Sequence, residues 1–140
     1  MTQEIYPCLW FNNQAKEAAE YYCGIFNNSR ITSVNNLVVL FEINGKKFMA
    51  LNGGPQFNFT EAVSFVITCK DQAEIDHYWN SLTKEGEESM CGWLKDKYGV
   101  SWQVVPEILG KLMSDPQKSP RVINAFLKMR KFDIAALENA

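Results

Sequence analysis

The sequence lacks most of the residue patterns that would assign a function directly. It holds one histidine, His77, and no apolar run near the roughly 20 residues that a membrane span needs. Its 14 basic and 16 acidic residues nearly cancel, and no basic stripe marks a nucleic-acid site. Its first residues lack a basic segment followed by an apolar one, so we expect no export signal, no membrane partner and a cytoplasmic location. The four cysteines, Cys8, Cys23, Cys69 and Cys91, lack metal-type spacing and are expected to be reduced thiols.

Two further absences exclude common kinds of catalytic and cofactor-binding site. The one histidine, His77, is expected to face solvent, so no Ser-His-Asp or Cys-His set can be built around it. None of the eight glycines forms the G-x-G turn between a strand and a helix that marks a dinucleotide or S-adenosylmethionine fold. Aromatic residues, in contrast, make up 13% of the chain. A chain of 140 residues buries about two-thirds of its surface on folding, so it needs no disulfide or metal for stability.

The first part of the chain predicts a β-α-β-β-β module. Alanine and aromatic residues recur at helical spacing after residue 14, and Asn12 or Asn13 can cap that helix. Asn44-Gly45 predicts a tight hairpin, since both residues tolerate a positive φ. The expected strands are residues 5–11, 30–34, 37–43 and 46–51, and Pro7 suggests that the first lies at a sheet edge.

The same order of signals then repeats. Residues 63–69 form a β-branched run, and Asp71 with Glu74 predicts the start of a second helix. Strands are expected at residues 88–94 and 100–105, joined by a turn at Asp96. Helices follow at 107–113, from Pro120 with Ser119 as its cap, and after Asp133 as the cap of a last turn. We therefore predict one α+β domain over residues 1–140, with modules at about 4–59 and 60–106 and a helical tail at about 107–140.

Three segments carry a family resemblance. LWFNNQAKEAAEYYCGIFNNSRI at 9–31, CGWLKDKYGVSWQVVP at 91–106 and KMRKFDIAALENA at the end resemble the PhnB-like branch of the vicinal oxygen chelate superfamily. That superfamily includes glyoxalase I and the bleomycin-resistance proteins, and the branch often carries the label 3-demethylubiquinone-9 3-methyltransferase. The resemblance implies two paired modules, a cupped mixed sheet around a cavity, and a homodimer.

The resemblance also implies where a metal would sit. Superfamily enzymes commonly bind a divalent cation through His, Glu or Gln on the first and last strand of each module, and those places fall near Pro7, Ala50, Ser64 and Gln103. Of these side chains, Gln103 alone offers a usual ligand atom, and one neutral amide does not hold Zn²⁺ or Mn²⁺. His77 lies opposite the apolar side of its helix and should face solvent. We predict no metal and no cofactor.

Alternation along the strands suggests which residues line the cavity. Ser101, Gln103 and Val105 share one face of their strand, and Leu9 and Phe11 are expected on the matching face of the first strand. The predicted ligand-binding residues are Gln103, Ser64, Ser101, Leu9, Phe11, Cys91 and Trp93.

Three functions remain open from the sequence. The first is a metal-free protein that binds a small apolar or aromatic molecule. The second is an enzyme acting on a quinone-like metabolite, and the third a metal-dependent lyase or dioxygenase. Each residue also has a structural alternative: aromatic side chains belong to cores or dimer interfaces, Cys91 can be an inert thiol and Asp96 a turn former. No catalytic residue is assigned.

Overall fold

Two four-stranded mixed sheets, each with one helix against it, make up most of the structure, a computed structural model that describes residues 3–140. The chain divides into two compact units, one ending at Phe59 and the other running Thr60–Ala140. The elements, in chain order, are β1 Cys8–Phe11, α1 Ala15–Ile25, β2 Arg30–Val34, β3 Val38–Ile43, β4 Lys46–Asn52, β5 Ser64–Cys69, α2 Gln72–Thr83, β6 Glu87–Glu88, β7 Trp93–Lys95, β8 Ser101–Pro106, α3 Ile108–Met113, α4 Ser119–Phe126 and α5 Ile134–Glu138. The predicted α+β class, the two βαβββ modules and the helical tail are confirmed.

In the first unit, α1 covers one face of a sheet with strand order β1-β4-β3-β2. The Tyr22 ring on α1 stacks on Phe41 of β3, with centroids 6.2 Å apart. The β3-β4 turn has φ of 51° at Asn44 and 77° at Gly45, as the Asn-Gly pair predicts. The edge position of β1 agrees with Pro7, which lacks the N–H that an interior strand would need.

The start of α1 differs from its prediction. Neither Asn12 nor Asn13 caps the helix: the N-cap residue is Gln14, without a side-chain cap bond. The backbone N–H of Ala15 instead donates to Oδ1 of Asn52, at 2.9 Å. This acceptor lies 37 residues away at the end of β4, so a local sequence pattern could not reveal it.

The face assigned to the first strand is also wrong. Leu9 and Phe11 are 5% and 3% exposed and lie on the α1 side of the sheet, where Leu9 pairs with the fully buried Ala50. The other face of β1 carries Cys8 and Trp10. The alignment that put Ala50 at a metal-ligand position is therefore displaced by one residue.

The second unit repeats the arrangement with strand order β5-β8-β7-β6. The Asp71 carboxylate accepts the N–H of Glu74 at 2.9 Å, and the Glu74 carboxylate accepts that of Lys70 at 2.8 Å, so the predicted helix start is confirmed. Residues with exposures of 0–3% pack toward α2: Cys69, Leu94, Trp102 and Val104. His77 is exposed, as expected.

Residues 88–94, predicted as one strand, are divided between two. A turn separates β6 from β7, with φ of 59° at Cys91 and 81° at Gly92. The backbone N–H groups of these two residues donate to the carbonyls of Met129 and Arg130, at 2.7 and 2.8 Å. The turn therefore depends on a distant part of the chain.

The tail consists of three short helices. α4 begins one residue earlier than the Ser119-Pro120 prediction places it, with Lys118 at the N-cap and Ser119 as the first helical residue. Asp133 caps α5 as predicted, accepting the N–H of Ala136 at 3.1 Å. None of the helices described over residues 3–140 is long and apolar enough to cross a membrane.

Candidate functional site

The second sheet turns one face to α2 and the other away from it, and we call the latter the open face. Strand pairing sets its membership: Ser64 and Lys95 both pair with Ser101, while Val66 and Trp93 both pair with Gln103. The open face comprises Ser64, Val66 and Thr68 on β5, Ser101, Gln103 and Val105 on β8, Trp93 and Lys95 on β7, and Glu87 on β6. Ser101, Gln103 and Val105 share one face of β8, as the alternation along that strand predicts.

An oriented amide lies at the centre of this face. Nε2 of Gln103 donates to Oγ of Ser64 across 3.0 Å. The bond fixes the direction of the amide, because the nitrogen is directed to Ser64 and the carbonyl oxygen Oε1 points elsewhere. Gln103 is half-buried, so this oxygen can meet a ligand that donates a hydrogen bond.

Ser101 is the unusual residue of the open face. It is 1% exposed, and its Oγ has no hydrogen-bond partner among the residues that the structure describes. Buried hydroxyls are nearly always hydrogen-bonded, so the Ser101 hydroxyl is available to bond a water or a ligand.

A cavity of about 410 Å³ lies against Ser101. Its lining residues are Glu61, Glu87, Glu88, Ser89, Trp93, Leu94, Lys95 and Ser101. The Lys95 ammonium contacts Oε1 of Glu61 at 2.8 Å. That hydrogen bond raises the pKa of Lys95 and lowers the pKa of Glu61. Both groups therefore carry their charges over the whole range near neutral pH.

The turn before β8 holds this strand in place. Asp96 is 3% exposed and its Oδ1 accepts the backbone N–H groups of Tyr98 and Val100, at 2.8 and 3.1 Å. Its Oδ2 accepts the indole N–H of Trp102 at 2.9 Å. The role predicted for Asp96, a turn former, agrees with these bonds.

The predicted ligand-binding residues do not all come together. Ser64, Trp93, Ser101 and Gln103 share the open face, whereas Cys91 lies in the β6-β7 turn, outside any strand. Leu9 and Phe11 belong to the first sheet and are buried beneath α1. Whether the four open-face residues bind a ligand stays a prediction.

Four charged residues of the cavity were missed, namely Glu61, Glu87, Glu88 and Lys95. Alternation from Trp93 would have indicated Lys95, because residues two apart in a strand share a face. Glu87 could not be found, since the strand was predicted to begin after it. Glu61 lies in an irregular segment before β5 and carries no sequence signal for its ion pair.

The donor atoms of the open face do not fit a divalent transition metal. At the two positions where the superfamily places ligands in this unit, the side chains are a hydroxyl and an amide that bond each other. Within residues 3–140, no group of three or more His, Cys, Asp or Glu is arranged to hold a metal ion. That the protein works without a metal stays a prediction.

Comparison with known proteins supports the resemblance seen in the sequence. A profile of the 3-demethylubiquinone-9 3-methyltransferase family matches residues 3–105. A PhnB protein from Bacillus cereus, whose own 3-demethylubiquinone-9 3-methyltransferase name is provisional, is 33% identical, with a TM-score of 0.70 over 74% of this chain and 99% of that one. The search among curated proteins gave no match.

More distant structures share the fold alone. Protein PA1353 from Pseudomonas aeruginosa is 19% identical, with a TM-score of 0.62 over 76% of this chain and 98% of its own. The fosfomycin resistance protein FosX from Listeria monocytogenes, in complex with Mn(II) and sulfate, is 12% identical, with a TM-score of 0.60 over 81% of this chain and 96% of that one.

Proposed function

Because the chain belongs to the PhnB-like, 3-demethylubiquinone-9 3-methyltransferase family of the glyoxalase and fosfomycin-resistance superfamily, we propose that it binds a small flat organic molecule on the open face. The ligand is apolar or aromatic over most of its surface, and binding needs no metal. The observation that carries the proposal is the Gln103-Ser64 pair beside Trp93.

The open face has the composition of a small-molecule site. Such sites combine apolar and aromatic walls with a few fixed polar groups that orient the ligand. Here Val66, Val105 and Trp93 supply the apolar surface around an amide whose direction Ser64 sets. Val66 is 57% exposed, so part of this surface is open to a ligand.

A panel of small aromatic molecules, followed by amide chemical shifts of the ¹⁵N-labelled protein, tests the proposal. Members that bind should shift the open-face residues first. Gln103→Met keeps the side-chain volume but removes the amide, and should weaken the best binder about tenfold, the loss of roughly one good hydrogen bond. Gln117→Met is the matched control, since Gln117 is exposed and lies in the tail. Shifts confined to other surfaces would refute the proposal.

An enzyme acting on a quinone-like metabolite is the second candidate, and the name of the Bacillus cereus relative favours it. The two mixed sheets differ from the doubly wound sheet, with its glycine-rich turn, that usually binds S-adenosylmethionine. Calorimetry with S-adenosylmethionine separates the candidates: micromolar binding would favour the enzyme, and no heat of binding would favour the ligand-binding protein.

We further propose that the protein is a homodimer. Both sheets end in strands with one unpaired edge, β1 and β2 in the first and β5 and β6 in the second. Large apolar side chains are also exposed, among them Ile5, Leu37, Phe57 and Val63. Pairing of two chains covers such edges and side chains. Light scattering should give about twice the 16.0 kDa of one chain, and a value near 16.0 kDa at micromolar concentration would contradict the dimer.

A further inference from the structure

We propose that the cavity beside Ser101 takes the protonated amine of the ligand, so that the molecule bound on the open face is an organic cation. The inference rests on the proposed function and names the chemical class of its ligand. It depends on three features of the cavity: its hydrogen-bonding groups, its charge and its aromatic wall.

The hydrogen-bonding groups around the cavity are chiefly acceptors. In the lining, the Glu87 carboxylate accepts only. Gln103 lies outside the lining but on the same face, two residues along β8 from Ser101, and its Oε1 is the acceptor end of an amide whose nitrogen is used by Ser64. Oγ of Ser101 can accept as well, and it has no partner among residues 3–140. An ammonium group supplies up to three N–H donors and no acceptor, so it complements these groups better than a carboxylate, a phosphate or a neutral ring does.

The charge of the lining leads to the same ligand class. Glu61, Glu87 and Glu88 contribute three carboxylates, and Lys95 is the one basic residue of the lining. Lys95 is paired with Glu61 at 2.8 Å, and Glu87 lies directly opposite it on the neighbouring strand. With one carboxylate neutralised by Lys95, two negative charges remain, which attract a cation and repel an anion.

Trp93 provides the place for the body of the ligand. It is half-buried and lines the cavity. It also shares a face of β7 with Lys95, which follows it two residues later. An indole ring can stack on a flat ligand and also attracts an adjacent cation through its negative face. A flat ring bearing a short aminomethyl group would place the ring on Trp93 and the ammonium toward Ser101 and Glu87.

Three probes of one shape test the inference: 2-naphthylmethylamine, 2-naphthalenemethanol and 2-naphthoate. They share a ring and differ in being cationic, neutral and anionic at pH 7. Their dissociation constants are measured by calorimetry at low and moderate salt, and their positions by amide chemical shifts. We expect the amine to bind at least tenfold more tightly than the alcohol, to shift Ser101 and Trp93, and to lose part of that advantage in salt.

Variants assign the preference to the cavity. Glu87→Gln should reduce the advantage of the amine over the alcohol at least threefold. Ser101→Ala should weaken the amine without lowering the stability of the free protein, since its hydroxyl has no partner there to lose. Glu107→Gln is the matched control: it removes one negative charge from an exposed residue outside the cavity and should not alter the preference.

The outcomes separate the inference from the proposed function. If all three probes bind the open face with equal affinity, or the acid binds best, the inference is wrong while the proposed function stands. If Glu107→Gln lowers the preference as much as Glu87→Gln does, the attraction comes from the whole surface and the inference is likewise wrong. If no probe shifts any open-face residue, the proposed function is overturned, and the inference with it.

Discussion

Replacing Asp96 with asparagine should destabilise the second unit through a single contact. In the folded protein one carboxylate oxygen serves two backbone N–H groups, and the other accepts the indole N–H of Trp102 at 2.9 Å. An asparagine that keeps its oxygen on the backbone turns its NH₂ toward the indole. Two donors then face each other at a position where both residues are 3% exposed.

The magnitude follows from burial. A buried donor that loses its acceptor costs about 1–3 kcal/mol, and the loss of a charged acceptor adds to that. We expect Asp96→Asn to lower the free energy of unfolding by about 2–4 kcal/mol. Asp115→Asn is the control, because Asp115 is only half-buried and its side chain accepts one backbone N–H, and it should cost less than about 1 kcal/mol.

Urea unfolding followed by circular dichroism measures both effects, and a double-mutant cycle isolates the contact. Trp102→Phe removes the indole N–H. In that background Asp96→Asn should cost at least about 1 kcal/mol less than it does in the natural protein. Strict additivity of the two substitutions would refute the reasoning, because it would mean that the indole contact contributes nothing.

Further predictions concern the tail and the thiols. Gly92→Ala should cost about 3 kcal/mol or more in urea unfolding, because its φ is 81° and a Cβ there would lie 2.5 Å from a ring carbon of the tail. Gly110→Ala, in open helix, should instead stabilise by about 0.5–1 kcal/mol, and equal effects of the two changes would contradict this account. Gln72→Ala removes two hydrogen bonds of 2.9 Å, one from the N–H of Ile134 and one to the carbonyl of Phe132. Deuterium exchange in this part of the tail should therefore accelerate, whereas Gln117→Ala should leave it unchanged. Burial raises the pKa of Cys69 to about 12, so iodoacetamide at pH 8 should label it in denaturant but not in the folded protein. The thiol of the unfolded chain ionises first, near pH 9, so the free energy of unfolding should decline between pH 9 and 12. A Cys69→Ala variant that shows the same decline over this pH range would argue against a contribution from Cys69.

Local signals predicted much of the fold, and the errors have a common cause. The Asn44-Gly45 turn and the Asp71 cap depend on neighbouring residues, and both are confirmed. The cap of α1 failed because its acceptor, Asn52, comes from another strand. The β6-β7 turn failed for the same reason, since its N–H groups bond to residues almost 40 positions later. Features fixed by distant partners leave no trace in a short window of sequence.

The site was predicted in part for a related reason. On β8 the alternation of polar and apolar residues separates Gln103 from Trp102, so the face could be assigned. On β1 the residues Leu9, Trp10 and Phe11 are all apolar, and alternation does not distinguish their faces. Pairing with β4 decides it, because it places Leu9 next to Ala50.

The two modules share a topology and yet differ on the faces that their helices leave uncovered. Toward the helix both carry packed apolar residues, such as Val39 and Phe41 in the first and Val104 in the second. On the face away from the helix, the pair Ser64-Ser101 of the second sheet corresponds to Cys8-Met49 in the first. In the same way Val66-Gln103 corresponds to Trp10-Leu51. Close packing constrains the helix side of a sheet in every copy, whereas the other side is free to change as its ligand requires. At these positions the second sheet carries hydroxyls and an amide, whereas the first carries a thiol, a thioether and an indole N–H that donates to the carbonyl of Gly54. Substitutions of Ser64, Ser101 or Gln103 should therefore change which ligand the open face prefers.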